Sequence, residues 1–152
     1  MNKNPNHFVI DVDGVLSTGQ FIYGETGKLY KIFGPHDSDG LKLIKEKVNV
    51  SFISADERGF KISNKRVSDM GFNLKLVNEN DREDYLAKIG LDNIIFMGDG
   101  YYDAKCFNLV AYSIAPANAR KEALKNADFI TESNAGEGAV MDACLHILEK
   151  FF

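Results

Sequence analysis

The chain has 152 residues, 45% of them hydrophobic and 26% charged, the composition of one globular domain, residues 1–152, with a core of its own. Its formal net charge of −4, with no basic run, argues against nucleic acid as a partner. No apolar stretch approaches the roughly 20 residues of a membrane span, and the opening from Met1 to Asn6 lacks the apolar core of a signal peptide, so a cytoplasmic protein with no membrane partner is expected.

The first element is the apolar run His7-Phe8-Val9-Ile10, which leads into Asp11-Val12-Asp13-Gly14-Val15-Leu16. In an extended strand residues i and i+2 share a face, so Asp11 and Asp13 can project together beyond the carboxyl end, where open α/β sheets bind ligands. A hard cation such as Mg²⁺ takes oxygen ligands of this kind, and Gly14 lets the backbone turn closely around whatever is bound. Taken alone, these residues are equally a strand ending in a solvated Asp-Gly turn. Phe21-Ile22-Tyr23 and Leu29-Tyr30-Lys31-Ile32-Phe33 flank Gly24 to Gly27 and predict a β-hairpin over about 17–33. Both arms are apolar on successive positions, so a hairpin standing off the domain would need a cover, and a second subunit is the simplest one.

Asp37 or Ser38 is a candidate N-cap for a helix over Leu41 to Lys47, and His36 lies in the loop before it. Val48 to Ile53 predicts the next strand. It ends at Ser54-Ala55-Asp56, where a hydroxyl followed by backbone N–H groups opening the helix of Phe60 to Met70 suits a phosphate, or else simply caps the helix. Asn73 to Val77 predicts a third strand, followed by a helix beginning near Arg82, which brings a cation within reach of the strand ends. Ile94 to Met97 runs directly into Gly98-Asp99-Gly100-Tyr101-Tyr102-Asp103, a second gathering of carboxylates at a strand's end. Ala111 to Ile114 and Ala127 to Ile130 read as short strands around a helix over Asn118 to Asn126. The last helix sets Val140, Cys144, Ile147, Leu148 and Phe151 on one stripe. Cys106 and Cys144 lie among apolar neighbours far apart in sequence, as buried free thiols do. Strand and helix alternate throughout, which predicts a mainly parallel sheet covered on both faces.

The order Asp11-Val12-Asp13-Gly14-Val15-Leu16, then Ser54, then Arg82, then Gly98-Asp99 with Asp103, resembles the motifs of the haloacid dehalogenase superfamily of phosphotransferases. The resemblance spans the whole chain. With the hairpin, Asp37-Ser38-Asp39-Gly40-Leu41-Lys42-Leu43 and the tail Asn134-Ala135-Gly136-Glu137-Gly138-Ala139-Val140, it points to the small capless phosphatases of 3-deoxy-octulosonate 8-phosphate and nonulosonate 9-phosphates. It implies a Rossmann-like three-layer α/β sandwich with a protruding hairpin and no cap domain. It also implies a homotetramer in which neighbouring hairpins and tails close the site, and a sugar-phosphate substrate of surface-polysaccharide biosynthesis.

Carried over by position, the resemblance makes Asp11 the nucleophile and Asp13 the acid that protonates the leaving sugar oxygen and then activates water. It assigns Mg²⁺ to the Asp11 carboxylate, the Asp13 carbonyl and Asp99, with Asp103 either a ligand through water or a support to the ligands, and gives Ser54 and Arg82 the phosphoryl oxygens. Gly14, Ala55, Asp37, Arg66 and Glu137 are candidate substrate contacts, with Arg58 behind them. Arg82 stands where the relatives carry lysine, a substitution that changes the donor geometry, and Lys75 is the alternative cation. Ser54-Ala55-Asp56 replaces the Thr-Gly-Arg usual in the octulosonate enzymes and Glu137 replaces an arginine, which favours the nonulosonate branch. The competing reading is a weakly active or inactive assembly domain that tetramerises or regulates a sugar cytidylyltransferase; Arg82 favours it, and the intact set of aspartates opposes it.

Overall fold

Alternation of apolar residues on both faces of short strands makes the central sheet. The computed structural model describes residues 4–152; Met1 to Lys3, part of the polar opening read above, lie outside the described residues. In chain order the strands are β1 (His7–Asp11), β2 (Ser17–Gly24), β3 (Gly27–Phe33), β4 (Asn49–Ser54), β5 (Leu74–Leu76), β6 (Ile94–Met97), β7 (Tyr112–Ala115) and β8 (Phe129–Ile130). The helices are α1 (His36–Ile44), α2 (Phe60–Asp69), α3 (Arg82–Ile89), α4 (Tyr101–Phe107), α5 (Lys121–Asn126) and α6 (Ala139–Phe151).

Six strands form one sheet in the order β5-β4-β1-β6-β7-β8, and every pairing in it is parallel. From β1 the chain builds outward through β4 and β5, then returns to the other side of β1 and builds outward through β6, β7 and β8. The switch point therefore lies between β1 and β6, and the crevice at their carboxyl ends is where such sheets bind ligands. Phe8 and Ile10 of β1, with Ile95 and Met97 of β6, pack with buried residues of α1, α2 and α6. Val9, Ile94 and Phe96 pack on the opposite face with Leu86 of α3, Phe107 of α4 and Ala123 of α5. The result is the expected three-layer α/β sandwich.

The hairpin of β2 and β3 forms a separate two-stranded antiparallel sheet with irregular register near Phe21 and Tyr23. Its apolar side chains are exposed: Tyr30 retains 64% of its surface, Tyr23 61% and Ile22 52%. Both cysteines are buried free thiols. Among the described residues no helix is long and apolar enough to cross a membrane.

The element boundaries differ from expectation chiefly at α1, which begins at His36 rather than near Leu41. Pro35 precedes it with helical backbone angles, and Asp37 and Asp39 in the first turn complement the helix dipole. Ser38 Oγ donates to the Pro35 carbonyl at 3.0 Å, and neither Asp37 nor Ser38 caps this helix. Instead Asp37 is buried between helices, its Oδ1 accepting from the Met141 backbone N–H of α6 at 3.1 Å. The helix predicted from Asn118 begins at Lys121.

Candidate active site

β1 ends at Asp11, and the next five residues kink tightly around Gly14, whose φ of 82° favours glycine. A Cβ at Gly14 would collide with the Asp99 carboxyl group, so the missing side chain is what lets the first acidic loop close on the second. Asp99 follows β6 directly. Asp103, in the first turn of α4, turns back so that its Oδ2 accepts from the backbone N–H groups of Asp99 and Gly100, both at 3.0 Å. One carboxylate oxygen from each of Asp11, Asp99 and Asp103 lies within 4.8 Å of the others, and all three residues are buried or half-buried.

Arg82, at the start of α3, is buried against this cluster. It forms an ion pair and hydrogen bond with Asp103 Oδ1, and its Nη2 lies 3.6 Å from Asp11 Oδ1. Burial alone would make the guanidinium easier to deprotonate; Asp11 and then Asp103 outweigh that and raise its pKa. Arg82 is thus the cation that lies against these carboxylates. Lys75, the alternative, has its ammonium 5.2 Å from the Tyr85 ring centroid.

One cation does not balance three carboxylates. Burial first, and then the charge of Asp103, pushes the Asp11 pKa well above the carboxylate range; the same two causes bring Asp99 up to about 7. Asp11 Oδ1 is buried without a hydrogen-bond donor. A buried orphan oxygen within a set of hard, crowded carboxylate donors suits a hard divalent cation, and these residues fit one. Asp13 contributes no carboxylate oxygen to the cluster, so the resemblance leaves it only its backbone carbonyl as a ligand.

The Asp13 side chain lies on a second arm of the site. Ser54, wholly buried at the end of β4, donates from Oγ to Asp13 Oδ2 at 2.8 Å and accepts from the Asp56 backbone N–H at 3.1 Å. Lys31 of the hairpin donates from Nζ to Asp13 Oδ1 at 2.6 Å and ion-pairs with Asp56 Oδ2 at 2.8 Å. Lys28 pairs with Asp56 Oδ1 at 2.7 Å. Burial would raise the Asp56 pKa, but hydrogen bonds from Lys28 and Lys31 prevail and bring it down to about 2.

A cavity of about 320 Å³ opens here, bounded by Asp11, Asp13 and Arg82 from the sheet side, Ala55 and Asp56 from the loop after β4, and Phe21 from the hairpin. Of the six predicted substrate contacts Ala55 alone lines it: Gly14 and Ser54 are buried next to lining residues, and the other three serve elsewhere. Asp37 is 1% exposed and serves α6, because Pro35 starts α1 early and turns the aspartate into the helix interface. Arg66, on the outer turns of α2, donates from Nη2 to the Gly34 carbonyl at 3.2 Å. Glu137 is exposed on the loop before α6, which is held down through the Gly136 N–H to the Val15 carbonyl at 3.2 Å.

Lys31 was not among the predicted site residues, although a lysine alone inside Leu29-Tyr30-Lys31-Ile32-Phe33 is a visible anomaly. On a strand its parity sets it opposite Tyr30 and Ile32, and it faces inward while they face out.

Comparison with known proteins agrees with this geometry. A family profile described as haloacid dehalogenase-like hydrolase matches residues 83–143, the stretch from α3 into α6. The 3-deoxy-D-manno-octulosonate 8-phosphate phosphatase KdsC of Escherichia coli is 28% identical over 149 residues, covering 93% of this chain and 78% of that protein. The cobalt-bound octulosonate 8-phosphate phosphatase YrbI of Haemophilus influenzae superposes with a TM-score of 0.82 at 26% identity, over 97% of this chain and 90% of that one. The Moraxella catarrhalis octulosonate 8-phosphate phosphatase, solved with a magnesium ion, phosphate and KDO, gives a TM-score of 0.83 at 26% identity, over 95% and 86% of the two chains. Sequence motifs, sheet order and these likenesses coincide: the chain is similar to the haloacid dehalogenase-like hydrolases and, over nearly its whole length, to the KdsC phosphatases among them.

Proposed function

We propose that this protein is a Mg²⁺-dependent phosphatase of a sugar-acid phosphate, a nonulosonate 9-phosphate or 3-deoxy-octulosonate 8-phosphate, working through an aspartyl-phosphate. The observation that carries the reading is the buried Asp11 Oδ1, which has no hydrogen-bond donor, beside Asp99, Asp103 and Arg82 at the sheet's switch point. Asp11, the Asp13 carbonyl, Asp99 and Asp103 would hold the ion, whose positive charge lowers the repulsion between an anionic nucleophile and a phosphate dianion.

In this reading Asp11 attacks phosphorus, an acyl-phosphate bond forms, and the ester P–O bond breaks. Asp13 gives its proton to the departing sugar oxygen, then takes one from the water that attacks the phosphorus of the acyl-phosphate, releasing inorganic phosphate and restoring Asp11. Ser54 Oγ–H and the backbone N–H groups after it would donate to the phosphoryl oxygens, with Arg82 offsetting their charge. The polar cavity between loop and hairpin would take the sugar.

The exposed apolar outer face of the hairpin supports a homotetramer, the hairpins and tails of neighbouring copies completing the rim. The reading is tested by phosphate release from a panel of octulosonate, nonulosonate and hexose phosphates, with Mg²⁺ or chelator, beside Asp11→Asn. Metal-dependent release from one sugar acid, absent in the variant, is expected. Folded, Mg²⁺-binding protein that releases nothing above the variant would instead favour the assembly-domain reading.

A further inference from the structure

Lys31 is an unusual residue to bury. Its side chain is 1% exposed, and its ammonium meets three oxygens: Asp13 Oδ1 at 2.6 Å, Ser63 Oγ of α2 at 2.8 Å and Asp56 Oδ2 at 2.8 Å. The first two are hydrogen bonds and the third is an ion pair. Burying an ion pair seldom adds stability over well-packed apolar residues of the same volume, so packing alone gives this lysine little reason to be there. The neighbouring loop is also shaped around it: a Cβ on Gly59 would stand 2.7 Å from Lys31 Cε and 3.0 Å from Nζ.

What the lysine grips is the side chain that the proposed reaction needs in one place. Asp13 is held from two directions, by Lys31 on Oδ1 and by Ser54 on Oδ2, and it lines the cavity. We propose, resting on the phosphatase reading above, that Lys31 is a positioning residue: from the hairpin it holds the Asp13 carboxyl group at the leaving oxygen's side of the cavity, with Asp56 and Ser63 as its own anchors. Proton transfer to a leaving oxygen demands hydrogen-bond distance, so a loosened Asp13 loses the transfer while the nucleophile and phosphate seat stay intact. The hairpin would thereby form part of the catalytic apparatus, through its inner face.

The test exploits leaving groups. A sugar alkoxide must be protonated as it departs, whereas 4-nitrophenolate leaves unaided. Lys31→Met in the full chain with saturating Mg²⁺ is expected to lower first-turnover release of the sugar from the best sugar phosphate of the panel by on the order of 10²-fold with KM within about threefold, and to lower first-turnover release of 4-nitrophenolate, which needs no acid, less than about fivefold. Asp56→Asn, which loosens the anchor and leaves Lys31 in place, is expected to show a smaller split of the same kind and serves if Lys31→Met does not fold. Equal losses of first-turnover release on both substrates, or none on either, overturn the positioning role while leaving the phosphatase standing. A wild-type chain inactive on both overturns the phosphatase reading and this inference with it.

Discussion

The carboxylates around Arg82 and those around Lys31 belong to one site and differ in charge balance. Around Arg82, three aspartates share one cation, and Asp11 and Asp99 are driven toward their protonated forms by burial and mutual repulsion. Around Lys31, Asp13 and Asp56 face Lys28 and Lys31, and Asp56 is held ionised down to about pH 2. The first arm is short of positive charge and suits an added cation. The second matches each carboxylate with a lysine and suits the fixing of positions. Burial alone does not decide which way a carboxylate moves; the number of cations in reach does.

The sharpest way to break that contrast is Asp11→Asn. Phosphate release is expected to fall by roughly 10⁴-fold or more, as for other lost nucleophiles, while the Mg²⁺-free variant melts no lower than the wild type because a neutral amide replaces a carboxyl group that burial and Asp103 already drive toward its neutral form. A variant that stays active, or melts well below the parent in chelator, removes the charge-deficient description of this arm.

Arg82→Met should next cost stability of about 3 kcal/mol, since it leaves Asp103 and Asp11 buried without their cation. Urea denaturation at pH 7 in chelator measures it, and added Mg²⁺ should recover part of the loss. Mg²⁺ at about 100-fold over its Kd should stabilise the wild type by about 2.7 kcal/mol, raising Tm by roughly 5–10 °C, and Asp99→Asn should abolish most of that shift. An equal Mg²⁺ shift in Asp99→Asn places the ion elsewhere.

The smallest effect belongs to the balanced arm. Asp56 has a folded-state pKa of about 2 against 3.8 unfolded, so its ion pairs contribute stability above about pH 4 that is lost as pH falls toward 2. In the unfolded chain the carboxylate takes up its proton first, which sets the sign. Asp56→Asn should therefore flatten the acid limb of stability against pH by about 1–2 kcal/mol. An unchanged limb would show that the lysines do not hold Asp56 as described.

The sheet and the charge-deficient arm were legible because their signals are local. Apolar runs of four or five residues ending in aspartates, as at Ile10-Asp11 and Met97-Gly98-Asp99, mark strand ends without knowledge of any partner. Arg82 was legible by order along the chain. The balanced arm was not, because its defining contacts join residues far apart in sequence, Lys31 to Asp13 and Ser63, and only the folded hairpin brings them together. Parity hints that Lys31 faces away from Tyr30 and Ile32, but not what lies on that side. Asp37 fails for a related reason: a carboxylate beside a helix start looks like that helix's cap, and here the helix it serves lies 104 residues downstream.

Strand β3 carries two faces with separate obligations. Lys31 points inward to Asp13, while Tyr30 and Ile32, its immediate neighbours, point outward as bare apolar surface. Whatever covers the outer face stiffens the backbone that aims the inner one. If that cover is another copy of the chain, as proposed, dilution below the assembly threshold would slacken the Lys31 grip before any chain unfolds, and specific activity would become a function of the protein's own concentration.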